Sequence, residues 1–362
     1  MSFKYVAAAS VIALAAGAVS AETTNLRIQT HQSPESVSGK LVQDFVDQVH
    51  AMSNNELQIE MYFSSAVVAS AETFSAAADG ILDCDMTNGN YQTGKNAAFQ
   101  FVADTMGGYN TPLEWVAWIK YGDGAELINQ LYEANGMHFV GTYLGGQESL
   151  NSTRPLAGIA DLEGFKFRSP PGMESEIFAS LGATPIVMDF TEIFTSLETG
   201  IIDGADASTL ANNVGLGIYD IAKHTTYPGF HSMAADHLAC NTDVWNGLSE
   251  QHQAILTTAM DSLALKLMTM TLVNNGEALA KLPEQGVTIY DWSAEDRATF
   301  RKAAIGRWDE WAARTPEAAT LVDSHKAFLQ RIGLSVNSGL MGCARWRVRS
   351  GAGGLLFFSE RH

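Results

Sequence analysis

The spacing of apolar residues in the first ninety positions predicts short strands that alternate with helices. A strand over residues 25–29 precedes a helix over residues 37–52, whose Leu41, Phe45 and Val49 recur every four positions. The pattern continues with a strand, a short helix and a third strand, over residues 57–63, 70–79 and 81–88. This order predicts a mostly parallel sheet, covered by helices, that binds ligands at its strand ends. Polar side chains occupy or closely follow those ends: His31, Ser64, Asn88 and Tyr91.

Residues 164–208 predict two more strand-to-helix units. A strand over residues 166–169 ends at Pro170, because proline cannot donate a hydrogen bond to a sheet. The units continue with a helix, a strand and a second helix, over residues 174–181, 184–188 and 189–200. Arg168 therefore lies at a strand end, where its guanidinium group can hold a carboxylate through two parallel hydrogen bonds. The alternative interpretation is a surface arginine in an ion pair.

Two strands further along the chain are predicted to cross between two domains. The first spans residues 138–143, and the second is flanked by His231, Asp236 and His237. A lone histidine is usually structural, but the position beside a predicted hinge makes His231 and Asp236 candidates for the site. A helical pattern over residues 249–282, apolar on a wide face, predicts a long packing helix.

Length and composition indicate a globular protein large enough for two domains. The chain has 362 residues, of which 46% are hydrophobic. Its 22 basic and 40 acidic residues give a net charge of −18, which argues against partners such as nucleic acid or anionic membranes. The negative charge of an acidic protein repels an anionic ligand. A buried arginine can offset this repulsion at short range, because salt screens the more distant surface charges.

Both ends of the chain are expected to lie outside the folded part. Residues 1–21 have one lysine, an apolar stretch and small residues before the expected cut after Ala21, the layout of a cleavable secretory signal. The alternative, a membrane anchor, is disfavoured because the apolar stretch is shorter than the roughly 20 residues that span a bilayer. Residues 335–362 are rich in arginine and glycine and have no helical or strand period, so we expect a disordered or artefactual tail.

The cysteines and the absent motifs narrow the possible chemistry. Cys84, Cys240 and Cys343 have no metal-ligand spacing. Cys84 and Cys240 stand in apolar, strand-like segments and are expected to be buried free thiols, with a disulfide between them as the open alternative. No Walker motif, HExxH, CxxC or GxSxG occurs. We therefore expect a binding protein and not an enzyme, although a secreted enzyme that uses His231 and Asp236 as acid and base is the rival hypothesis.

Several segments resemble one protein family in their order along the chain. They are KFRSPPG, LGATPI, EIFTSLETGIIDGA and HTTYPGFH. Together they resemble the DctP-type extracytoplasmic solute receptors of tripartite ATP-independent periplasmic (TRAP) transporters, over roughly residues 22–334. Within that family, the chain looks closest to the branch that binds 2-oxo acids and related monocarboxylates.

The resemblance implies a fold and a function. The fold would be α/β and like a periplasmic binding protein, with two domains joined by crossing strands and braced by a long helix. Domain I would comprise residues 22–142 and about 232–275, and domain II residues 143–231 and about 276–334. The protein would capture a small organic anion in the periplasm, as a monomer or dimer, and deliver it to membrane permease subunits.

The resemblance also assigns residues to the site. Arg168 would clamp the ligand carboxylate, and Gln147 would contact the ligand or a cation. Asp206 and Ala207 replace a glutamate and a tryptophan that hold a cation in relatives, a departure from the family's pattern. The resemblance implies a Na⁺ or Ca²⁺ held by Gln147, by the Asp206 carboxylate and by the backbone carbonyl of Ala207. No other cofactor is expected. The predicted ligand-binding set is Arg168, Gln147, Asp206, Asn212, Asn213, His231, Asp236, Asn88 and Tyr91.

The replaced tryptophan bears on which acid is bound. Without its indole ring the pocket would be larger, so a bulkier aromatic acid, sugar acid or sulfonate is the alternative ligand. The sequence leaves this choice open.

Overall fold

The structure is a computed structural model, and it describes residues 23–334. The predicted signal segment, the predicted tail and Cys343 lie outside these residues. The strands are β1 Thr24–Thr30, β2 Leu57–Tyr62, β3 Cys84–Met86, β4 Met137–Tyr143, β5 Asn151–Ser152, β6 Lys166–Ser169, β7 Thr184–Val187, β8 Gly204–Ala205, β9 His224–Thr226, β10 Asp236–Asn241 and β11 Thr288–Tyr290.

The helices surround two sheets that these strands form. They are α1 Val37–Met52, α2 Thr73–Ala78, α3 Phe99–Ala103, α4 Pro112–Tyr121, α5 Gly124–Glu133, α6 Met173–Ser180, α7 Ile193–Glu198, α8 Leu210–Gly215, α9 Thr242–Gly247, α10 Glu250–Lys281, α11 Ala294–Ala312 and α12 Pro316–Arg331. Short 3₁₀ turns precede α2 and α7, at Ser70–Glu72 and Phe190–Glu192. The predicted α/β class is confirmed.

The first sheet has the strand order β2-β1-β3-β10-β4. β1 pairs in parallel with β2 and β3, as the β-α-β pattern predicts. β10 is antiparallel to both β3 and β4. The prediction of a mostly parallel sheet is therefore wrong for half of these pairings, because β10 returns from a distant part of the chain to lie inside this sheet.

The second sheet has the order β11-β9-β5-β8-β6-β7. β6 is parallel to its neighbours β7 and β8, so the two strand-to-helix units of residues 164–208 form as predicted. Parallel pairing brings the C-terminal ends of these strands to one edge of the sheet. This edge carries Arg168.

Two chain segments run side by side between the sheets. β4 lies within the first sheet, and the chain crosses after it through residues 144–150 and returns through residues 227–235. The Glu148 amide donates to the Ser232 carbonyl at 2.9 Å, which ties the two segments together. The predicted crossing at residues 138–143 thus begins a few residues too early. The predicted domain boundaries stay a prediction, and α12 contacts α3 and α5 across them.

The 32-residue helix α10 contacts elements on both sides of the crossing. It packs against α1 and β4 on one side and α8 on the other, so the predicted bracing helix is present. With the turn that follows, it is long and apolar enough by composition to cross a membrane, a test that core helices of globular proteins also pass. Leu256, Leu263 and Leu267 are buried on its inner face.

Cys84 and Cys240 form a disulfide, so the expectation of two free thiols is wrong for this pair. The register of the antiparallel strands β3 and β10 places Cys240 directly opposite Cys84. The sequence does not show this register, because 156 positions separate the two cysteines.

Candidate functional site

A cavity of about 60 Å³ lies between the two sheets, at the ends of β1, β3 and β6. Side chains from both sheets line it, among them His31, Asn88, Tyr91 and Asp236 on one side and Arg168, Phe190 and Asp206 on the other.

Arg168 is buried in the wall of this cavity, with 2% of its surface exposed. Its Nη1 donates to the Asp206 carbonyl at 2.8 Å, and its Nε donates to the Met188 carbonyl at 3.3 Å. Among residues 23–334, no carboxylate lies within 4 Å of its guanidinium nitrogens. The backbone contacts fix the direction of the guanidinium group and leave its charge unpaired. A buried charge without a partner is costly, so this arrangement suits an anionic ligand.

Asp236 faces the cavity from the first sheet, at the start of β10. Its Oδ2 accepts from Gln32 Nε2 at 2.8 Å, and its Oδ1 accepts from Asn88 Nδ2 at 3.1 Å. His31 Nε2 lies 3.4 Å from Oδ2. Burial opposes ionisation, but His31 and the two amide donors outweigh it, so the pKa of Asp236 lies below its usual value. The cavity therefore presents a carboxylate as well as a guanidinium group.

Three aromatic rings form the wall between these charges. The His31 ring centroid is 5.0 Å from that of Phe190 and 5.9 Å from that of Tyr91. The Arg168 guanidinium carbon lies 5.8 Å from the Phe190 centroid. Because Phe190 follows a strand of the second sheet, this wall joins the two halves of the molecule.

Several polar atoms around the cavity lack a hydrogen-bond partner within residues 23–334. They belong to lining residues and are His31 Nδ1, Gln32 Oε1, Asn90 Oδ1 and the Tyr143 hydroxyl. Buried polar atoms in proteins are rarely left without partners. A bound solute with donors and acceptors would satisfy them.

Direct hydrogen bonds hold the two sides of the cleft together. The Asp189 carboxylate, after β7, accepts from the Ser70 amide and the Ser70 hydroxyl, both at 2.8 Å. The Ser38 amide of α1 donates to Asn212 Oδ1 of α8 at 3.0 Å. The cleft is closed in this structure.

A cluster of buried carboxyl groups lies next to Arg168. Asp206 Oδ1 is 2.8 Å from His231 Nε2, and Glu174 Oε1 is 3.9 Å from the same nitrogen. The Ser232 hydroxyl lies 2.8 Å from Glu148 Oε2 and 2.6 Å from Oδ2 of Asp104, the fourth acid of the cluster.

The protonation of these acids differs with their surroundings. Burial raises the pKa of Asp104 to about 7. Burial, reinforced by the charge of Asp206, raises the pKa of both Glu148 and Glu174 well above the usual value. For Asp206, burial is outweighed by the hydrogen bond and charge of His231, so its pKa lies below the usual value. The cluster cannot ionise fully in a dry interior without a cation.

The structure brings together part of the predicted ligand-binding set. The predicted residues that line the cavity are Arg168, Asp206, Asp236, Asn88 and Tyr91. Those that do not line it are Gln147, Asn212, Asn213 and His231. Their roles as ligand contacts stay predictions.

The residues outside the cavity have partners elsewhere. Gln147 Nε2 donates to the Tyr109 carbonyl at 3.2 Å. Asn212 bridges α8 and α1, as described above, and Asn213 Nδ2 donates to the Ser149 and Ser208 carbonyls. His231 is 0% exposed and lies behind the cavity, bonded to Asp206.

The predicted cation-binding set does not assemble in this structure. The amide of Gln147 is directed to Tyr109 and not to Asp206. Ala207 packs in a small apolar cluster, and the Asp206 carboxylate contacts His231. The role of these three residues in cation binding stays a prediction.

Sequence reasoning missed some lining residues and most of the acid cluster. Glu148 lines the cavity, although the neighbouring Gln147 was predicted. Glu174 was placed on a helix without a role, and Phe190 was not singled out. The only sequence feature that could have identified these residues is that each lies next to, or a few residues from, a predicted strand end.

Comparison with known proteins identifies the family. The family described as "Bacterial extracellular solute-binding protein, family 7" matches residues 28–315. The ectoine/5-hydroxyectoine-binding periplasmic protein UehA of Ruegeria pomeroyi is 29% identical over 316 residues, which are 82% of this chain and 87% of that protein.

Solved structures agree with this match. A TRAP periplasmic solute-binding protein from Rhodobacter sphaeroides, in an apo open form, is 32% identical, with a TM-score of 0.67 over 86% of this chain and 99% of that one. A second, from Pseudoalteromonas atlantica with bound sodium and pyruvate, is 24% identical, with a TM-score of 0.76 over 86% and 95% of the two chains. The predicted 2-oxo acid branch is not confirmed by these matches and stays a prediction. The match over nearly all of the described residues, on a fold with a closed cleft between two sheets, shows that the chain belongs to family 7 of the bacterial extracellular solute-binding proteins, the periplasmic solute-binding proteins of TRAP transporters.

Proposed function

We propose that this receptor captures a small organic solute with a carboxylate group and delivers it to the permease subunits of its transporter. The observation that carries the proposal is the buried guanidinium group of Arg168, which borders a cavity and has no carboxylate partner among residues 23–334. A solute carboxylate would supply the missing charge through a bidentate pair.

Closure of the cleft would allow the membrane permease to distinguish the solute-bound receptor from the empty one. The cavity takes residues from both sheets, so a solute in it contacts both halves only when they are closed together. Such differential contacts shift the equilibrium towards the closed form, which presents a different surface to the permease.

The volume of the cavity favours a small solute. A cavity of about 60 Å³ is small beside the roughly 300–1,000 Å³ of pockets for drug-sized ligands, so it suits a short-chain acid better than an aromatic acid, a sugar acid or an aromatic sulfonate. The rings of His31, Tyr91 and Phe190 occupy space beside Arg168.

A zwitterion is the second candidate, and Asp236 is the observation that favours it. A simple anion would add negative charge to a cavity that already contains this low-pKa carboxylate. A solute with a cationic or strongly donating nitrogen would pair with Asp236 while its carboxylate pairs with Arg168. The relative UehA is named for binding ectoine and 5-hydroxyectoine.

We also propose that binding is non-enzymatic and independent of a bridging cation. His231 lies behind the cavity wall and Asp236 within it, so the two do not form an acid–base pair. The Pseudoalteromonas structure contains sodium with pyruvate, but here the Gln147 amide nitrogen donates to the Tyr109 carbonyl. Localisation in the periplasm follows the family. Whether the receptor is a monomer or a dimer stays a prediction.

Thermal-shift screening followed by calorimetry tests the proposal. The solutes would be monocarboxylates, dicarboxylates and carboxylate zwitterions, each with and without sodium, calcium and chelator. Arg168→Ala should abolish the shift, and Arg168→Lys should restore little of it, because lysine lacks the planar fork. Arg27→Ala, which alters an exposed ion pair with Asp83, is the matched control. Equal affinity of wild type and Arg168→Ala for the solute found would refute the clamp.

A further inference from the structure

The acid cluster beside Arg168 contains the elements of a metal site. One ligand atom from each of Glu148, Asp206 and His231 lies within 4.8 Å of the others. All three side chains are buried. Donors bound about 2.0–2.2 Å from one Zn²⁺ lie roughly 3–4.4 Å from each other, so small side-chain shifts would complete a coordination shell.

Glu174 gives an independent sign that something is bound there. It is 1% exposed, and neither carboxylate oxygen has a hydrogen-bond partner among residues 23–334. Its Oε1 lies 3.9 Å from His231 Nε2. A buried carboxyl group that points into a cluster of potential ligands, with no nitrogen or hydroxyl donor bonded to either oxygen, is an arrangement that a cation would relieve.

The protein itself supplies little positive charge to this cluster. Arg168 is the nearby guanidinium, but its Nη1 donates to the backbone carbonyl of Asp206 and none of its nitrogens lies within 4 Å of a carboxylate in residues 23–334. Two or three protons or one divalent ion could neutralise the remaining acids. The imidazole of His231, aimed at Asp206 and Glu174, favours the ion, because it adds a nitrogen donor to the carboxylates.

We propose that Glu148, Glu174, Asp206 and His231 bind one divalent transition-metal ion of the Zn²⁺ or Mn²⁺ class. Mixed imidazole and carboxylate donors suit these ions, whereas Na⁺ and Ca²⁺ prefer oxygen donors alone. The site differs from the bridging position predicted from sequence, which required Gln147 and Ala207. It shares only Asp206 with that position and does not depend on the identity of the solute.

The ion would act on the solute through Arg168. Asp206 would bind the ion with its carboxylate while its carbonyl accepts from Arg168, so the ion would fix the peptide that orients the clamp. Ser232 is a positioning residue, since its hydroxyl contacts a Glu148 oxygen. Removal of such an outer contact typically weakens metal binding by about 10–100-fold.

Metal analysis of the secreted full-length protein tests the proposal. The protein would be stripped with chelator, incubated with Zn²⁺, Mn²⁺ or Ca²⁺, desalted and measured by mass spectrometry for bound metal. We expect one equivalent of Zn²⁺ or Mn²⁺ and none of Ca²⁺. Co²⁺ would report its ligands through visible absorption bands that change when the imidazole is removed.

Matched variants separate this site from adventitious binding at surface histidines. His231→Gln and Glu174→Gln should each weaken Zn²⁺ binding by at least about 100-fold. His237→Gln is the control for loss of a buried histidine, because His237 bonds to Asp85 in another part of the fold. Glu176→Gln is the control on α6, where Glu176 pairs with Arg314 at the surface.

Two results would overturn the proposal. One is stripped, folded wild-type protein that retains neither Zn²⁺ nor Mn²⁺, which would mean that protons neutralise the cluster. The other is one equivalent of Zn²⁺ bound equally by wild type, His231→Gln and Glu174→Gln. Circular dichroism would establish that each variant is folded. If His231→Gln does not fold, the more conservative Glu174→Gln variant still tests the proposal.

Discussion

Asp189 joins the two halves of the closed cleft, so its removal should weaken solute binding without touching the solute. Its two carboxylate oxygens accept hydrogen bonds from the amide and the hydroxyl of Ser70, both at 2.8 Å. Ser70 belongs to the loop before α2 in the first half, and Asp189 follows β7 in the second. Asp189→Ala would remove both contacts, which exist only when the cleft is closed.

The expected loss follows from these two bonds. A hydrogen bond to a charged group contributes about 1.5–3 kcal/mol when fully buried, and we take about 1 kcal/mol for each of these partly buried bonds. The closed form would then lose about 2 kcal/mol relative to the open form. If the unliganded receptor is mostly open, this loss weakens the apparent affinity about 30-fold, since 1.4 kcal/mol corresponds to a factor of ten.

Calorimetry and stopped-flow release with the acid found in the thermal-shift screen would measure this effect. Distances between spin labels on the two halves would report the closed population directly. Thr191→Ala is the matched control, because it removes a hydrogen bond to Asp189 from its own loop and leaves both contacts to Ser70. We expect the control to bind nearly as wild type does and Asp189→Ala to release solute faster.

A wild-type affinity and release rate in folded Asp189→Ala would refute this reasoning. Asp189→Asn provides a second variant, because its amide oxygen can still accept from the Thr191 amide and preserve the local turn. Its amide nitrogen would face the Ser70 amide and lose that contact, whereas the Ser70 hydroxyl, which donates to the same oxygen as the Thr191 amide, could keep its own. We therefore expect a smaller loss than in Asp189→Ala. Unchanged binding in both variants would mean that the solute alone holds the cleft closed.

The remaining predictions concern charge, acid stability and the disulfide. Asp236→Asn should lower affinity for carboxylate zwitterions at least about tenfold and leave or improve affinity for simple carboxylates, by calorimetry; equal effects on both classes would contradict the zwitterion hypothesis. Burial lowers the pKa of His325 to about 3, so the unfolded chain binds an extra proton between about pH 6.5 and 3 and stability falls as pH falls. Urea unfolding should show a contribution of about 3 kcal/mol lost between pH 7 and 4 that is absent in His325→Gln; an identical pH profile in both would contradict it. Reduction of the Cys84–Cys240 disulfide should lower the free energy of unfolding by about 2–5 kcal/mol, and Cys84→Ala/Cys240→Ala should be insensitive to reductant.

The hydrophobic pattern predicted the local elements well because local spacing decides them. The predicted helix over residues 37–52 coincides with α1, and the strand over residues 166–169 coincides with β6. The end of that strand at Pro170 placed Arg168 at the cavity. The 3₁₀ turns at the starts of α2 and α7 were not predicted, because a short apolar run does not distinguish them from a helix.

The composition of the site was less predictable because it depends on side-chain direction and long-range register. In the crossing segment, Glu148 lines the cavity and the adjacent Gln147 points to Tyr109. In an irregular turn, the hydrophobic pattern does not indicate which of two adjacent polar side chains faces the cavity. The acid cluster unites residues from segments as distant as Asp104 and His231, and no local spacing connects them.

The acid cluster explains how a receptor with a net charge of −18 can bind an anion without holding it too tightly. Each ionised carboxylate beneath Arg168 weakens the attraction between its guanidinium group and a solute carboxylate, and each proton or metal ion that neutralises one restores it. The affinity therefore depends on the charge state of the cluster and on the contact between Ser70 and Asp189. A receptor that passes its solute to a permease has to release it, and release requires only that the cleft opens. Opening breaks the contacts of Asp189 and separates Asp236 from Arg168, so the solute loses one of its two charged partners while the other remains. On this reasoning, changes at Asp189 should mainly raise the release rate.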